Sequence, residues 1–250
     1  LWRHRALSGA DERYFEYGML RRIAERSRAV IVHNAEAARR VRRAAPDAAV
    51  VEIPHLLDLP QAMPPAAVIA GAEGPVFGVF GHLRESKRLA AVLKAFGELR
   101  KGRRATLLVQ GEFVSADYER SLARLLAQPG VLRLGRLDER EWWRVAAACD
   151  VCLNLRFPSA GEASGVAVRM MGLGKPVVVT AGAEWAAYPE GTYWPVMSGG
   201  AAEPDHLAAT LAWFVEHPAR GREMGRMARE WVVREHAPAR VARRLAEALS

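Results

Sequence analysis

The residues best suited to chemistry begin with the segment GHLRESKR, residues 81–88, which joins an apolar stretch to a helix-like pattern. Gly81 allows the chain to turn sharply as it leaves the apolar stretch. The segment then presents four side chains that carry or can acquire positive charge: His82, Arg84, Lys87 and Arg88. Because a helix start offers unpaired N–H groups and a positive dipole end, this arrangement favours binding of a diphosphate. The same composition also fits an ordinary solvated loop between a strand and a helix.

A second segment, FPSAGEASG at residues 157–165, combines a carboxylate with small residues. Gly161 and Gly165 flank Glu162 at the start of another predicted helix, and small residues there let a ligand reach the backbone. Three N–H groups at this helix start would lack intrahelical partners and could bind a phosphate oxygen: those of Ser164, Gly165 and Val166. Glu162 either stabilises the helix start or accepts hydrogen bonds from sugar hydroxyls.

Both segments follow apolar strands, which predicts that they lie at the same edge of a sheet. In an open parallel sheet, ligands bind beyond the carboxyl ends of the strands. The pair therefore predicts a ligand with a phosphate centre and a polyhydroxyl end. The glycine-rich fingerprint of dinucleotide-binding folds, G-x-G-x-x-G after a strand, does not occur in the sequence.

A regular alternation of strands and helices begins near Pro75 and must position both segments. Apolar strands are predicted at residues 76–81, 105–111, 131–135, 150–155 and 176–180. Helices are predicted between them, including a short one at about 163–173, and three more close the chain at about 204–217, 219–236 and 238–249. This pattern predicts an α/β fold, with a Rossmann-like parallel sheet covered by helices on both faces.

The residues before Pro75 form a separate pattern. It predicts a helix over residues 10–26, a strand at 29–33, a helix from Asn34 to about 45 and a strand at 50–54. Pro60, Pro64 and Pro65 then make a stiff connection, where we place a domain boundary. Because the sequence opens at Leu1 without Met, we expect the chain to be part of a longer protein.

Composition narrows the classes of partner. The formal net charge is +8, carried mostly by Arg residues scattered over the predicted helices without an aromatic stripe. This favours an Arg-rich solvated surface, is compatible with a loose peripheral contact with an anionic membrane, and argues against nucleic acid. No apolar run is long enough to cross a bilayer. Cys149 and Cys152 lack further ligands at zinc spacing, so we expect two buried, reduced thiols, which suits a cytoplasmic location.

From about residue 28 to its end, the chain resembles the carboxyl-terminal portion of family 4 glycosyltransferases, the group 1 transferases of the GT-B fold. The resemblance depends on an ordered set of motifs: G-x-L-x-x-x-K, then G-R-L, then N-L-R-x-P-x-x-G-E-x-S-G, then G-K-P-V-V-V. It implies a truncated acceptor-side domain at 1–60, a linker at 61–74, a nucleotide-sugar-binding domain at 75–218 and closing helices at 219–250. The last helix is expected to pack back on the amino-terminal domain.

The resemblance also implies roles for particular residues. Lys87 and a second cation would hold the donor diphosphate, the turn containing Arg136 and Leu137 would form the base pocket, and Glu162 would contact the transferred sugar. Two positions depart from the family pattern, because His82 stands where an Arg is usual and Met170 stands where a second Glu holds the ribose. Arg84 or Arg88 would then supply the missing charge.

The leading interpretation is a retaining hexosyltransferase that moves a sugar from a nucleotide diphosphate sugar to a glycan, lipid-linked sugar or other acceptor in envelope polysaccharide or glycoconjugate synthesis. We expect no metal, because no D-x-D cluster lies near the site, and no activity from this chain alone. Two alternatives remain: a degenerate transferase-like binding module, suggested by His82 and Met170, and a GT-B-like nucleotide-sugar epimerase.

Overall fold

The computed structural model describes residues 20–250, which form a small amino-terminal unit and a larger α/β unit. The small unit contains α1 (Arg21–Ala24), β1 (Val30–Val32), α2 (Ala35–Ala44) and β2 (Val50–Glu52). Its two strands pair in parallel, and Val32, Ala38 and Val41 are part of the apolar cluster beneath α2. Asn34 caps α2 as predicted, since its side chain accepts a hydrogen bond from the Ala37 N–H.

The larger unit is a six-stranded parallel sheet in the order β5-β4-β3-β6-β7-β8. Its strands are β3 (Val76–Phe80), β4 (Thr106–Gln110), β5 (Val131–Leu134), β6 (Val151–Asn154), β7 (Val177–Thr180) and β8 (Trp194–Val196). Its helices are α3 (Leu89–Arg100), α4 (Ala116–Ser121), α5 (Ala123–Leu126), α6 (Glu139–Ala148), α7 (Gly165–Gly172), α8 (Glu203–Glu216), α9 (Pro218–Glu235) and α10 (Pro238–Leu249). The predicted doubly covered parallel sheet is confirmed.

Two apolar clusters cover the two faces of this sheet. Phe96 on α3 and Phe214 on α8 belong to one cluster, and Trp143 on α6, Met171 on α7 and Val232 on α9 belong to the other. The strands β3, β4, β6 and β7 are buried along their whole length, which explains their continuous apolar sequences. This packing holds the carboxyl ends of β3 and β6 side by side, because those strands are neighbours.

Three elements differ from the sequence prediction. The helix predicted over residues 10–26 is helical at Arg21–Ala24, and its first part lies outside the described residues. Between the predicted strands at 105–111 and 131–135, where one helix was expected, there are two short helices, Ala116–Ser121 and Ala123–Leu126. The edge strand β8 was not predicted, because Pro195 at its centre argues against a strand. A proline is tolerated there because β8 pairs on one side alone, with β7.

Apolar packing and a hydrogen bond also connect the small unit to the rest of the chain. Leu57 is buried in the α6–α7–α9 cluster, and Ile69, within the stretch predicted as a linker, packs against the same cluster. At the other end of the chain, the Arg28 side chain donates a hydrogen bond to the Ser250 carbonyl at 2.9 Å. The end of α10 therefore contacts the small unit.

Cys149 and Cys152 are buried free thiols, as predicted. Burial raises the pKa of both, that of Cys152 to about 12. Both are therefore protonated near neutral pH, and in this state they pack as small apolar side chains. No described helix is long and apolar enough to span a membrane.

Candidate functional site

A cleft of about 640 Å³ opens at the carboxyl edge of the sheet. Nine of the residues predicted for the site line it together: Gly81, His82, Arg84, Lys87, Arg136, Glu162, Ser164, Gly165 and Val166. Leu137 instead packs against the core, and Gly161 faces the small unit. The two predicted segments therefore meet in one cleft, as the strand pattern required.

Lys87 lies at the back of the cleft, at the end of a 3-10 turn (Glu85–Lys87). Its side chain is 9% exposed, and Nζ donates a hydrogen bond to the Phe80 carbonyl at 2.8 Å. Burial, assisted by the nearby Arg156 and Arg84 cations, lowers the pKa of Lys87 to about 8. An ammonium has three N–H groups, so Lys87 keeps donors for a ligand after bonding to Phe80. A buried ammonium short of a counter-anion is suited to bind one.

The other basic residues of the first segment divide between two roles. His82 and Arg84 line the cleft. Arg88 is held elsewhere, because its guanidinium forms an ion pair with Glu203 of α8 and lies over the Phe157 ring. Of the two residues considered as replacements for a missing cation, Arg84 is therefore the one in position.

The second segment is organised around the start of α7. The Ser164 side chain caps the helix by accepting from the Ala167 N–H at 3.3 Å, and it donates to Asn154 at 3.1 Å. The first intrahelical bond is made by the Val168 N–H to the Ser164 carbonyl. The N–H groups of Gly165 and Val166 precede that bond, and both residues line the cleft. Unpaired N–H groups at a helix start, in the cleft that Lys87 also lines, are suited to bind an anion.

Glu162 precedes this helix start and is anchored by two contacts. One carboxylate oxygen pairs with the Arg156 guanidinium, and the other accepts from the Ala160 N–H at 2.9 Å. The Glu162 side chain remains 41% exposed, so it is accessible from the cleft. A carboxylate held by its neighbours and open on one side can accept hydrogen bonds from ligand hydroxyls.

The two glycines that flank Glu162 also make room for side chains of the small unit. Gly161 has φ +78°, and a Cβ there would lie 3.0 Å from Glu36 on α2. A Cβ on Gly165 would lie 3.1 Å from Nε2 of His55. Both glycines thus accommodate side chains of the small unit, and the Asn34 amide adds a hydrogen bond to the Gly161 carbonyl at 2.9 Å.

Several cleft residues were missed by the sequence analysis: His55, Gln110, Glu112, Trp142, Arg156 and Arg169. Among these, the Arg169 guanidinium lies 4.0 Å from the Trp142 ring centre and pairs with Glu139 at 2.8 Å. Met170, the neighbouring residue, is fully buried in the core. Met170, which stands where the family has a ribose-binding carboxylate, therefore does not face the cleft. The neighbouring Arg169 lines the cleft instead.

Five strong cations line the cleft, against two carboxylates. The cations are Arg84, Lys87, Arg136, Arg156 and Arg169, and the carboxylates are Glu112 and Glu162. This excess favours an anionic ligand. Among residues 20–250, no cluster of three or more His, Cys, Asp or Glu side chains forms a metal site.

Comparison with solved structures identifies the fold. The structure of Anabaena Alr3699/HepE in complex with UDP and glucose has a TM-score of 0.79 at 19% identity, and the match covers 96% of this chain and 67% of that one. Sucrose-phosphate synthase from Thermosynechococcus elongatus has a TM-score of 0.75 at 20% identity, covering 95% of this chain and 61% of that one. At these identities the likeness shows the fold, and the predicted GT-B type is confirmed. No curated protein matches at the sequence level.

The family model described as Glycosyl transferases group 1 matches residues 74–216, which is more than half of the chain. The matched stretch runs from the start of the large unit to the end of α8, so it includes β3 to β8 and nearly all of the cleft. The chain therefore belongs to the group 1 glycosyltransferases.

Proposed function

We propose that this chain binds the donor of a retaining sugar transfer, and that the donor is a nucleotide diphosphate sugar. The observation that carries the proposal is the meeting of Lys87, the start of α7 and Glu162 in one cationic cleft. The HepE structure was obtained with UDP-glucose, which supports a uridine diphosphate hexose as the first donor to test.

The order of the strands suggests how such a donor would lie. Arg136 follows β5 at one end of the cleft, Lys87 follows β3 in the middle, and Glu162 follows β6. In a nucleotide sugar the diphosphate separates the nucleoside from the sugar. With the diphosphate between Lys87 and the α7 start, the nucleoside would extend toward Arg136 and the sugar toward Glu162.

The same groups suit the chemistry of transfer. As the bond between the sugar and the diphosphate breaks, positive charge develops on the sugar ring and negative charge on the leaving phosphate. Lys87, Arg84 and the α7 N–H groups would stabilise the leaving phosphate, and the Glu162 carboxylate would favour the cationic ring. Because these cations belong to the chain itself, we propose that transfer needs no metal.

The acceptor would bind to a part of the protein that this chain does not contain, because the chain spans only part of the length of its structural neighbours. The chain spans 67% of HepE and 61% of sucrose-phosphate synthase. We propose that further sequence supplies the acceptor site and the second catalytic wall, so that residues 1–250 bind the donor without transferring it. The acceptor would be a glycan or a lipid-linked sugar of envelope polysaccharide or glycoconjugate synthesis, and the setting the cytoplasm, with loose contact to an anionic membrane face.

Isothermal titration calorimetry of residues 1–250 against UDP-glucose, UDP-N-acetylglucosamine, GDP-mannose and ADP-glucose tests donor binding. For a longer protein that contains this chain, NMR of the product would show whether the anomeric configuration is retained. Absence of binding to every nucleotide sugar would contradict the proposal, and an inverted product would contradict retention.

One observation favours a second candidate, a transferase-like module that binds a nucleotide without turnover. Met170 is fully buried, so the ribose-holding carboxylate of the family is missing on the cleft side. Donor binding without turnover in the longer protein, with every acceptor class tested, would support this alternative. Sugar transfer would exclude it.

A further inference from the structure

His55 is the one cleft-lining residue, within the described part of the chain, that comes from before the large unit. It follows β2 by three residues, and its imidazole reaches over the start of α7. The residue it meets there is Gly165, where any other side chain would need the space that the imidazole fills. The cleft therefore has a wall that the sheet does not provide.

The backbone around His55 is fixed by the end of α9. His236 donates from Nδ1 to the His55 carbonyl at 2.5 Å, and the Leu57 N–H donates to the His236 carbonyl at 3.0 Å. His236 is 3% exposed, and its ring packs against Trp231 of α9. These two reciprocal hydrogen bonds tie the segment of His55 to α9, although the two lie far apart in the sequence.

The orientation of the His55 ring follows from its own hydrogen bond. Nδ1 lies 3.1 Å from the Leu56 carbonyl, and a carbonyl can only accept, so Nδ1 carries a proton. The other nitrogen, Nε2, lies beside the Gly165 position on the cleft wall. Among residues 20–250, Nε2 has no hydrogen-bond partner. The His33 ring packs near the imidazole, with 5.2 Å between the two ring centroids.

We propose that Nε2 of His55 donates a hydrogen bond to the donor diphosphate, beside the start of α7; this inference rests on the function proposed above. With Lys87 and the α7 N–H groups, the imidazole would complete a ring of hydrogen-bond donors around the phosphates. It would act on the leaving phosphate, where negative charge grows during transfer. The His55 segment contacts two other histidines, His33 and His236. The cleft that His55 lines also contains these titratable or charged groups: His82, Arg84, Lys87, Glu112, Arg136, Arg156, Glu162 and Arg169.

The test uses inorganic pyrophosphate, which carries the proposed phosphate contacts without a base or a sugar. Calorimetry on His55→Gln is expected to show pyrophosphate binding weakened about tenfold, the loss typical of one charge-assisted hydrogen bond. The matched control is His206→Gln on α8, where the exposed side chain lies outside the cleft; this variant should bind as wild type does. Both variants keep the backbone bonds to His236, so thermal unfolding should change little.

A second measurement detects the contact directly. In nitrogen-15 NMR spectra of the imidazoles, the His55 Nε2 signal should shift on addition of pyrophosphate while the His206 signal stays in place.

Two variants of His236 test the support of the His55 backbone. His236→Leu removes the donor to the His55 carbonyl, whereas His236→Asn replaces Nδ1 by an amide N–H. We expect His236→Leu to lose part of the pyrophosphate affinity and the asparagine variant to recover it.

The outcomes separate this inference from the proposed function. If wild type binds neither pyrophosphate nor any of the four nucleotide sugars, the function itself fails. If wild type binds both and Lys87→Met weakens binding, but His55→Gln matches wild type, the phosphate role of His55 is overturned and the function stands. If His55→Gln weakens UDP-glucose but not pyrophosphate, His55 contacts the sugar and not the phosphate, which also overturns the inference.

Discussion

Replacing Lys87 with Met should separate stability from ligand binding. Burial lowers the pKa of Lys87 to about 8, so keeping the ammonium charged at neutral pH costs the fold roughly 3 kcal/mol. Methionine removes that cost but gives up the hydrogen bond to the Phe80 carbonyl and leaves its oxygen unpaired, a loss of about 1–3 kcal/mol. We therefore expect the free energy of unfolding of Lys87→Met to equal that of wild type or exceed it by up to about 2 kcal/mol.

Binding should change in the opposite direction. Loss of a charge-assisted hydrogen bond to phosphate costs roughly 1.5–3 kcal/mol, which is about ten- to a hundredfold in affinity. Calorimetry with UDP should show this loss, and uridine binding should be nearly unchanged. The control is Lys94→Met, whose side chain is exposed on α3. Equal losses for UDP and uridine would refute the diphosphate role of Lys87.

The pH dependence gives a further check on the same residue. The folded-state pKa of Lys87 is depressed, so the folded protein releases this proton before the unfolded chain does. Wild-type stability should therefore rise as the pH increases from about 8 toward the ordinary lysine range, while UDP affinity should fall over the same range as the ammonium is lost. Lys87→Met should show neither change. If Lys87→Met shows the same pH dependence of stability and UDP affinity as wild type, the group that titrates in this range is not Lys87.

Three further changes test the surroundings of the cleft. Glu162→Gln should lower donor affinity modestly but turnover of a longer, active protein steeply, because charge stabilisation of the ring acts mainly in the transition state; near-normal turnover would remove Glu162 from the site. Gly165→Ala should weaken pyrophosphate binding by displacing His55, whose Nε2 would lie 3.1 Å from the new Cβ; unchanged calorimetry would contradict that contact. Hydrogen bonds from Arg39 lower the pKa of Glu36 to about 2, so its stabilisation, roughly 1–2 kcal/mol at pH 6, should vanish between about pH 4.5 and 2; urea unfolding of Glu36→Gln should lack that step.

The large unit could be predicted from sequence because its signals are local. Apolar strands such as β3 and β7 need burial on both faces, and Asp138 caps α6 as its residue type suggests, through a hydrogen bond from the Glu141 N–H at 2.8 Å. The meeting of Lys87 and Glu162 was predictable for a similar reason, since parallel strands bring their carboxyl ends to one edge.

The missed features depend on contacts between distant parts of the chain. Nothing near His55 indicates that it reaches α7, because the hydrogen bond that fixes its backbone comes from His236. Gly165 was interpreted as room for a ligand, and the sequence did not indicate that the His55 imidazole also lies against it. The sequence also places Arg169 and Met170 side by side without showing which of the two faces the cleft.

The contacts between the small unit and the cleft indicate from which side an acceptor would approach the sugar. Gly161, next to Glu162, accepts a hydrogen bond from Asn34 and lies against Glu36, both at the start of α2. If the sugar extends toward Glu162, it lies at the end of the cleft nearest the small unit, and the nucleoside lies at the far end near Arg136. An acceptor must reach the sugar and not the nucleoside, so the segments that bind it are expected to extend from the α2 side. Crosslinking with a photoreactive acceptor analogue would test this, because labelling near Arg136 in place of α2 would reverse the assigned direction of the donor.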